Sequence, residues 1–327
     1  MPVFITGASS GLGAAFARHY AAQGHTLGLL ARRADRLQEL IESLPGEHHI
    51  YVVDVCDRDA LHAAARDFKA RVGFVDIVIA SAGISAGTLT ECEDDFAVFN
   101  AIMQTNVSAT VSSFEPFVSD MKSQRKGALV GIASVAGVRG LPGAGAYSAS
   151  KAAVATYCES LRLELKPFDV QVVTIAPGYI KTEMTAHNPY AMPFLMDADA
   201  FAVRAARAIQ SARSYVVIPW QMGIVAKLMR TLLCGFQRGL KQITHMGVLH
   251  RCEGCIGGAA FGGDAFTQDG WWFVGCFGKL RSAFKCPNGQ LCGLLGGQSH
   301  LDPGFHHGLD EEEDISRPRA GNGGDRI

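Results

Sequence analysis

The chain has 327 residues, a formal net charge of −1 and 48% apolar residues, enough for one large α/β domain or two small ones. Because no basic segment stands out, the charge balance argues against a nucleic-acid-binding protein. No uncharged apolar run reaches the ~18 residues of a membrane span, and no charged leader precedes the first apolar run, so we expect a cytoplasmic protein.

Short apolar segments alternate with longer helical patterns over the first 210 residues. The predicted strands are 2–6, 26–30, 49–53, 75–80, 128–133, 170–176 and 215–218. The predicted helices are 11–23, 33–43, 57–70, 93–122, 147–166 and 198–211. Continuously apolar strands are typical of strands buried on both faces. The pattern predicts the α/β class, with a parallel sheet covered by helices on both faces.

The first predicted strand is followed by a glycine-rich turn that opens the first helix. Its sequence is Thr6-Gly-Ala-Ser-Ser-Gly-Leu-Gly13. Glycine allows a tight turn and a close approach of the backbone to a pyrophosphate, which N–H groups at a helix N-terminus can bind. The alternative is a glycine-rich turn that binds no ligand.

Two arginines, Arg32 and Arg33, follow the second predicted strand, which has no acidic residue at its end. In dinucleotide-binding folds an acid at this point binds the ribose hydroxyl, whereas arginine accommodates a 2′-phosphate. A planar guanidinium suits bidentate binding of phosphate. We predict phosphate recognition, with Arg32 as the expected contact. The alternative is that both arginines form the solvated start of a helix.

Small or polar residues follow three further strands, at the edge of the sheet where the first turn lies. They are Asp54-Val55, Ala82-Gly83 and the loop Pro177–Thr182. Small residues at Ala82 and Gly83 would let a flat cofactor ring pass close to the backbone. Asn106 lies inside a long helical pattern, where asparagine is disfavoured. The alternative to a site role for Asn106 is a side chain that caps a local backbone group.

The segment Tyr147-Ser-Ala-Ser-Lys151 places a phenol and an ammonium on one helix face, about one turn apart. A nearby positive charge favours the phenolate, so the pattern predicts that Lys151 lowers the pKa of Tyr147 from about 10. Such a phenol can act as a general acid or base near neutral pH. Ser134 ends the preceding strand, at the edge where α/β sheets bind ligands. The alternative is a helix face that is only packed or solvated.

The ordered set of motifs resembles the short-chain dehydrogenase/reductase family over roughly residues 2–220. The resemblance implies a Rossmann-type, doubly wound parallel sheet of about seven strands. It also implies an oxidoreductase that uses NADP(H), the preference following from the two arginines, and acts on a ketone, an aldehyde or a secondary alcohol. The implied cofactor-binding residues are Gly7, Ser9, Ser10, Gly11, Leu12, Gly13, Arg32, Arg33, Asp54, Val55, Ala82, Gly83, Tyr147, Lys151, Pro177, Gly178, Ile180 and Thr182. The chain departs from the family at Ala80-Ser81, where two asparagines are usual.

The resemblance further implies catalytic roles for Asn106, Ser134, Tyr147 and Lys151. Ser134 and Tyr147 would polarise the substrate carbonyl, and Tyr147 would donate the proton. Lys151 would hold the nicotinamide ribose and tune Tyr147. Asn106, at a local break in its helix, would bind a water that connects Lys151 to solvent. No metal is expected, and the resemblance implies a homodimer or homotetramer.

Other functions stay open at this point. A redox-sensing regulatory protein that binds NADP(H) without turnover would share the fold, and an inactive product is a third alternative. The presence of Ser134, Tyr147 and Lys151 together favours the enzyme. The segment 183–196, rich in methionine, proline and aromatic residues, favours an apolar substrate.

The pattern predicts a catalytic domain over 1–218 and a closing amphipathic helix over 219–234. Residues 235–327 hold 20 of the 37 glycines and five of the nine cysteines, with little periodicity. Such a segment buries little apolar surface. We interpret it as disordered or as the product of a shifted reading frame. Cys252 and Cys255 are weak evidence for zinc, because no second close pair of ligands follows.

Overall fold

The computed structural model describes residues 1–186 and 191–231. The strands in these ranges are β1 (Val3–Thr6), β2 (Leu27–Ala31), β3 (His49–Val52), β4 (Ile77–Ala80), β5 (Ala128–Ile132), β6 (Gln171–Pro177), β7 (Ile180–Lys181), β8 (Met196–Asp197) and β9 (Tyr215–Ile218). The seven predicted strands are confirmed, because every predicted bound falls within two residues of an observed one. The predicted tail 235–327, with its cysteine pair, lies outside the described residues.

Seven of these strands form one parallel sheet in the order β3-β2-β1-β4-β5-β6-β9. Val3 of β1 pairs with Leu27 on one side and with Ile77 on the other. The chain therefore winds outward in opposite directions from the boundary between β1 and β4. A crevice beyond the carboxyl ends of the strands, at such a boundary, is where open α/β sheets bind ligands. The predicted doubly wound α/β fold is confirmed.

Helices cover both faces of this sheet. They are α1 (Gly11–Ala21), α2 (Ala34–Ser43), α3 (Arg58–Val72), α4 (Asp95–Met103), α5 (Ala109–Gln124), α6 (Gly145–Leu165), α7 (Ala198–Gln210) and α8 (Trp220–Thr231). One core lies under α1, α2 and α7, with Phe16 and Phe201 fully buried. The other lies under α3, α5 and α6, with Phe68, Phe114 and Phe117. Two cores explain why the strands are apolar on both faces.

The prediction of one continuous helix over 93–122 is wrong. A π-helical turn at Gln104–Ser108 separates α4 from α5 and contains the fully buried Asn106. A π-turn changes the spacing of the backbone hydrogen bonds, and such turns are frequent at functional sites. The local break implied by the family resemblance is therefore present at Asn106.

The segment predicted as the closing helix contains α8, which packs on the end of β6. Met222 and Ala226 are buried, whereas Trp220 and Ile224 are exposed. A methyl group on Gly178 would come within 2.6 Å of the Met222 side chain, so glycine permits this contact. In the two described ranges, no helix has both the length and the apolar character needed to cross a bilayer.

Candidate active site

The glycine-rich turn after β1 is built on close backbone contacts. Gly7 has a φ of +68°, and a methyl group on it would lie 2.7 Å from the backbone of Ala82 after β4. A methyl group on Gly13 would overlap the carbonyl oxygen of Gly7. Ser10, the residue before α1, makes no side-chain capping hydrogen bond. The first N–H groups of α1 therefore lack a capping side chain at the crevice, which suits an anionic group.

The remaining predicted residues of this turn lie around its edge. Gly11 begins α1 with a φ of +54°, which glycine adopts without strain. Leu12 is partly buried and packs against the core under α1. Both serine hydroxyls, those of Ser9 and Ser10, face the guanidinium of Arg33.

The two arginines differ in their contacts. The Nη2 atom of Arg33 donates to Ser10 Oγ at 2.6 Å and to Ser9 Oγ at 3.3 Å, so this side chain crosses the turn. Arg32 is more exposed, and its Nη1 atom lies 3.5 Å from Asp54 Oδ2. The sequence pattern names Arg32 as the expected contact, yet the structure brings Arg33 to the turn. Neighbouring residues at the start of a helix point in different directions, so the two side chains meet different groups. Phosphate contact by Arg32 stays a prediction.

The ends of β3 and β4 contribute the next residues. Asp54 accepts a hydrogen bond from the backbone N–H of Cys56 at 2.9 Å, and Val55 is buried in the core under α3. The Ala82 N–H is 3.4 Å from the hydroxyl of Thr6 at the end of β1. Beside it, a methyl group on Gly83 would lie 3.3 Å from Lys151 Nζ. The loop after β4 thus runs from the glycine-rich turn to Lys151.

The departure from the family pattern, Ala80-Ser81, leaves the strand pairing intact. Ala80 is buried and pairs with Thr6 of β1 and with Gly131 of β5. The backbone therefore makes both ladders at this position without an asparagine side chain.

Asn106 holds together three segments of the chain. Its Oδ1 atom accepts from the Ile84 N–H at 2.8 Å, and its Nδ2 atom donates to the Ile84 carbonyl at 3.0 Å. Nδ2 also donates to Ser150 Oγ at 2.9 Å, and Ser150 in turn donates to the Tyr147 carbonyl at 2.8 Å. Ser150 is not among the site residues predicted from the sequence. Its place three residues after Tyr147, inside the same short segment, is the signal that could have identified it.

Ser134, Tyr147 and Lys151 come together where β5 ends. Ser134 precedes a 3₁₀ turn at Val135–Gly137, and its hydroxyl accepts from the Ala136 N–H at 3.1 Å. A methyl group on Gly137 would lie 2.7 Å from the backbone of Lys151. Glycine therefore lets this turn pack directly on α6. Lys151 is 6% exposed, and its Nζ atom donates to the Ile132 carbonyl at 2.9 Å.

The predicted effect of Lys151 on Tyr147 is corrected by the structure. Burial raises the pKa of the Tyr147 hydroxyl above its ordinary value, and hydrogen bonding with Ser134 opposes part of that shift. Burial also lowers the pKa of Lys151 to about 8. The Nζ atom lies 5.8 Å from the centre of the tyrosine ring and bonds to a backbone carbonyl. Desolvation therefore governs both groups, and it disfavours the charged form of each.

The loop after β6 contributes the last group of site residues at the carboxyl edge of the sheet. Pro177 ends β6, the Gly178 N–H donates to the Ile218 carbonyl at 2.8 Å, and Ile180 is buried in β7. Thr182 starts a 3₁₀ turn at Glu183–Thr185 through a reciprocal capping box with Thr185. A methyl group on Gly11 would lie 3.5 Å from Thr182 Cγ2, so this loop contacts the glycine-rich turn.

The chain is similar to a known family of proteins. The family model for the short chain dehydrogenases matches residues 2–191. An uncharacterized oxidoreductase of Myxococcus xanthus (strain DK1622) is 35% identical over 231 residues, which is 70% of this chain and 91% of that protein. An uncharacterized oxidoreductase of Mycobacterium tuberculosis (strain H37Rv) is 38% identical over 225 residues, or 67% of this chain and 88% of that protein.

A solved structure supports the fold. The short chain dehydrogenase from Mycobacterium paratuberculosis bound to NAD superposes with a TM-score of 0.59 at 23% identity. The superposition covers 66% of this chain and 95% of that one. At this identity the likeness concerns the fold alone.

Proposed function

Because the chain belongs to the short-chain dehydrogenase family of oxidoreductases, we propose that it transfers a hydride between NADP(H) and a carbonyl compound or secondary alcohol. The observation that carries this proposal is the meeting of Ser134, Tyr147 and Lys151 beside the loop after β4. That loop in turn contacts the glycine-rich turn through Gly7 and Ala82. A proton donor and a dinucleotide cradle thus share one edge of the sheet.

The residues around the crevice fit a dinucleotide. Gly7 and Gly13 allow the close backbone contacts of the turn, and the uncapped start of α1 offers N–H groups to a pyrophosphate. Ala82, Gly83 and Lys151 would lie along the nicotinamide end, and Thr182 would close the crevice from the other side. Bound nicotinamide supplies the hydride, and the protein supplies position and the proton.

We assign proton donation to the Tyr147 hydroxyl. Its raised pKa keeps the proton on the oxygen at neutral pH, which is the form needed to protonate a developing alkoxide. Ser134, hydrogen-bonded to the same hydroxyl, would orient it and share the substrate oxygen.

We assign two roles to the rest of the buried site. Lys151 is held by the Ile132 carbonyl within contact range of Gly83, where it would bind ribose hydroxyls. Asn106 positions both the Ile84 backbone and Ser150. Its three hydrogen bonds support a positioning role, and its binding of a relay water stays a prediction.

The preference for NADP(H) rests on the end of β2. Ala31, Arg32 and Arg33 occupy the position where an acid would favour NAD, and arginine suits a 2′-phosphate. Arg32 is exposed beside Asp54, and Arg33 lies across the glycine-rich turn. Both would face the adenosine end of the crevice.

An apolar substrate is supported by the segment that follows β7. Met184, Phe194 and Leu195 are large apolar side chains that stay about half exposed in the described part of this segment. Loops of this kind can cover a substrate and exclude water from the reaction. Assembly as a homodimer or homotetramer and a cytoplasmic location stay predictions from the sequence.

The test is a panel of aliphatic and aromatic ketones and aldehydes, read by NADPH absorbance with the full-length protein. We expect turnover with NADPH that exceeds turnover with NADH. Tight binding of NADPH with no oxidation across the panel would instead support the regulatory alternative. The relatives reported above are named oxidoreductases, and no contact in the described residues favours a regulator.

A further inference from the structure

The guanidinium of Arg33 joins two segments that are distant in sequence. Its Nε and Nη2 atoms lie against Ser9 and Ser10 of the glycine-rich turn. Its Nη1 atom donates to Glu183 Oε2 at 3.1 Å, in the 3₁₀ turn that follows β7. Every nitrogen of this guanidinium therefore has a partner, and one of the partners is a carboxylate.

Local structure holds Glu183 at this position. The capping box between Thr182 and Thr185 fixes the turn that Glu183 begins. Thr182 contacts the glycine-rich turn near Gly11, and Thr185 also donates to the Ile180 carbonyl at 2.7 Å. The turn thus fixes the backbone of Glu183 at a position from which its carboxylate reaches Arg33.

The ion pair between Arg33 and Glu183 is weak enough for another anion to replace the carboxylate. The side chains of Arg33 and Glu183 are 44% and 59% exposed, and ion pairs at such exposure contribute little stability. A phosphate offers a guanidinium the same paired oxygen acceptors as a carboxylate. Two anions at one guanidinium also repel each other, so a phosphate and the Glu183 carboxylate would compete for Arg33.

We propose that Glu183 is a specificity-determining residue, which occupies Arg33 as an internal anion and must release it when a 2′-phosphate binds. The inference rests on the NADP(H) preference proposed above. Glu183 weakens that preference in two ways, because it holds the guanidinium and repels the phosphate. Its removal should therefore tighten the binding of nucleotides that carry a 2′-phosphate and leave other nucleotides less affected.

The experiment compares two probes that differ by one phosphate, adenosine 2′,5′-bisphosphate and adenosine 5′-monophosphate. Isothermal titration calorimetry on the full-length protein measures both dissociation constants and their ratio. The variants are Glu183→Gln and Arg33→Ala, separately and combined. Glu39→Gln is the matched control, because Glu39 is an exposed glutamate that pairs with Arg36 on α2.

Glu183→Gln is expected to shift the ratio about two- to fivefold in favour of the bisphosphate. Glu39→Gln should leave the ratio unchanged. In the Arg33→Ala background, Glu183→Gln should have a smaller effect, because only the repulsion between the carboxylate and the phosphate is left to remove. An unchanged ratio in Glu183→Gln, or an equal shift with and without Arg33, would overturn the inference alone. Equal binding of the two probes by both the wild type and Glu183→Gln would overturn the cofactor preference, and this inference with it.

Discussion

Two clusters at the same edge of the sheet handle charge in opposite ways. The buried cluster, Asn106, Ser134, Ser150 and Lys151, is closed to solvent, and the partners of its one ammonium are neutral backbone and ring atoms. The arginine cluster, Ser9, Ser10, Arg33 and Glu183, is open to solvent and pairs its guanidinium with a carboxylate.

The difference follows from desolvation. A buried charge without an opposite charge shifts its pKa toward the neutral form, as the fall of the Lys151 pKa to about 8 illustrates. An exposed pair keeps both charges and can exchange partners at small cost. The buried cluster is therefore suited to hold atoms in place, and the arginine cluster to bind and release an anion.

The largest effect is expected for Tyr147→Phe, next to the buried cluster. Loss of the hydroxyl removes the proposed acid, so carbonyl reduction should slow by about 10²–10⁴-fold. NADPH binding, measured by fluorescence titration, should be preserved. Tyr157→Phe is the control, since Tyr157 lies ten residues further along α6, where its ring stacks on Phe114. Near-normal turnover in Tyr147→Phe would disprove the assignment of the acid.

Lys151→Met should change how stability depends on pH. Between pH 8 and the ordinary lysine pKa of about 10.5, the unfolded chain binds a proton that the folded protein has lost. The free energy of unfolding of the wild type, relative to Lys151→Met, should rise across this window by up to about 3 kcal/mol.

Urea unfolding at pH 7 to 10.5 measures this difference. Lys166→Met, at an exposed position just after α6, controls for the change of residue type. A gap between wild type and Lys151→Met that stays constant with pH would mean that Lys151 is not desolvated in the folded protein.

Asn106→Ala tests how strongly the buried cluster depends on its hydrogen bonds. The partly buried Ile84 N–H and carbonyl would lose their partner, which costs about 1–3 kcal/mol. Chemical denaturation measures the loss. Asn100→Ala, at an exposed position of α4, should cost much less, and Glu183→Gln should also change the unfolding free energy little. Equal losses of unfolding free energy in Asn106→Ala and Glu183→Gln would mean that the two clusters do not differ in this respect.

Arg32→Ala and Arg33→Ala test whether the arginines at the end of β2 recognise a phosphate. Each should raise the KM for NADPH about tenfold, because a charged hydrogen bond to phosphate is lost, and should change the KM for NADH little. Steady-state kinetics with both cofactors separates the two arginines. Equal effects on NADPH and NADH would remove the argument for phosphate recognition, and a larger effect at Arg32 would favour the contact named by the sequence pattern.

Much of the fold was predictable because strands that are buried on both faces are continuously apolar in sequence. Segments such as 75–80 and 170–176 are apolar without interruption, and the structure has β4 and β6 there. The order of motifs predicted the family, which the family comparison confirms. The π-turn at Asn106 was less visible, because helical periodicity continues on both sides of it.

The details of the site depended on contacts between distant elements. Gly131 of β5 lets Cys158 of α6 approach the sheet, since a methyl group there would overlap its sulfur. This packing sets where Lys151 reaches the Ile132 carbonyl, and so it sets the desolvation of Lys151. Glu183 meets Arg33 across 150 residues, which no local pattern reports.

The sequence by itself determined the strands, the helices and the residues that gather at one edge of the sheet. Those features follow from local periodicity and from the order of short motifs. Only the tertiary structure decided that Tyr147 has a raised pKa, that Arg33 crosses the turn and that Glu183 is its partner. The physical reason is that desolvation and ion pairing depend on which distant groups surround an atom, whereas secondary structure depends mainly on its neighbours along the chain.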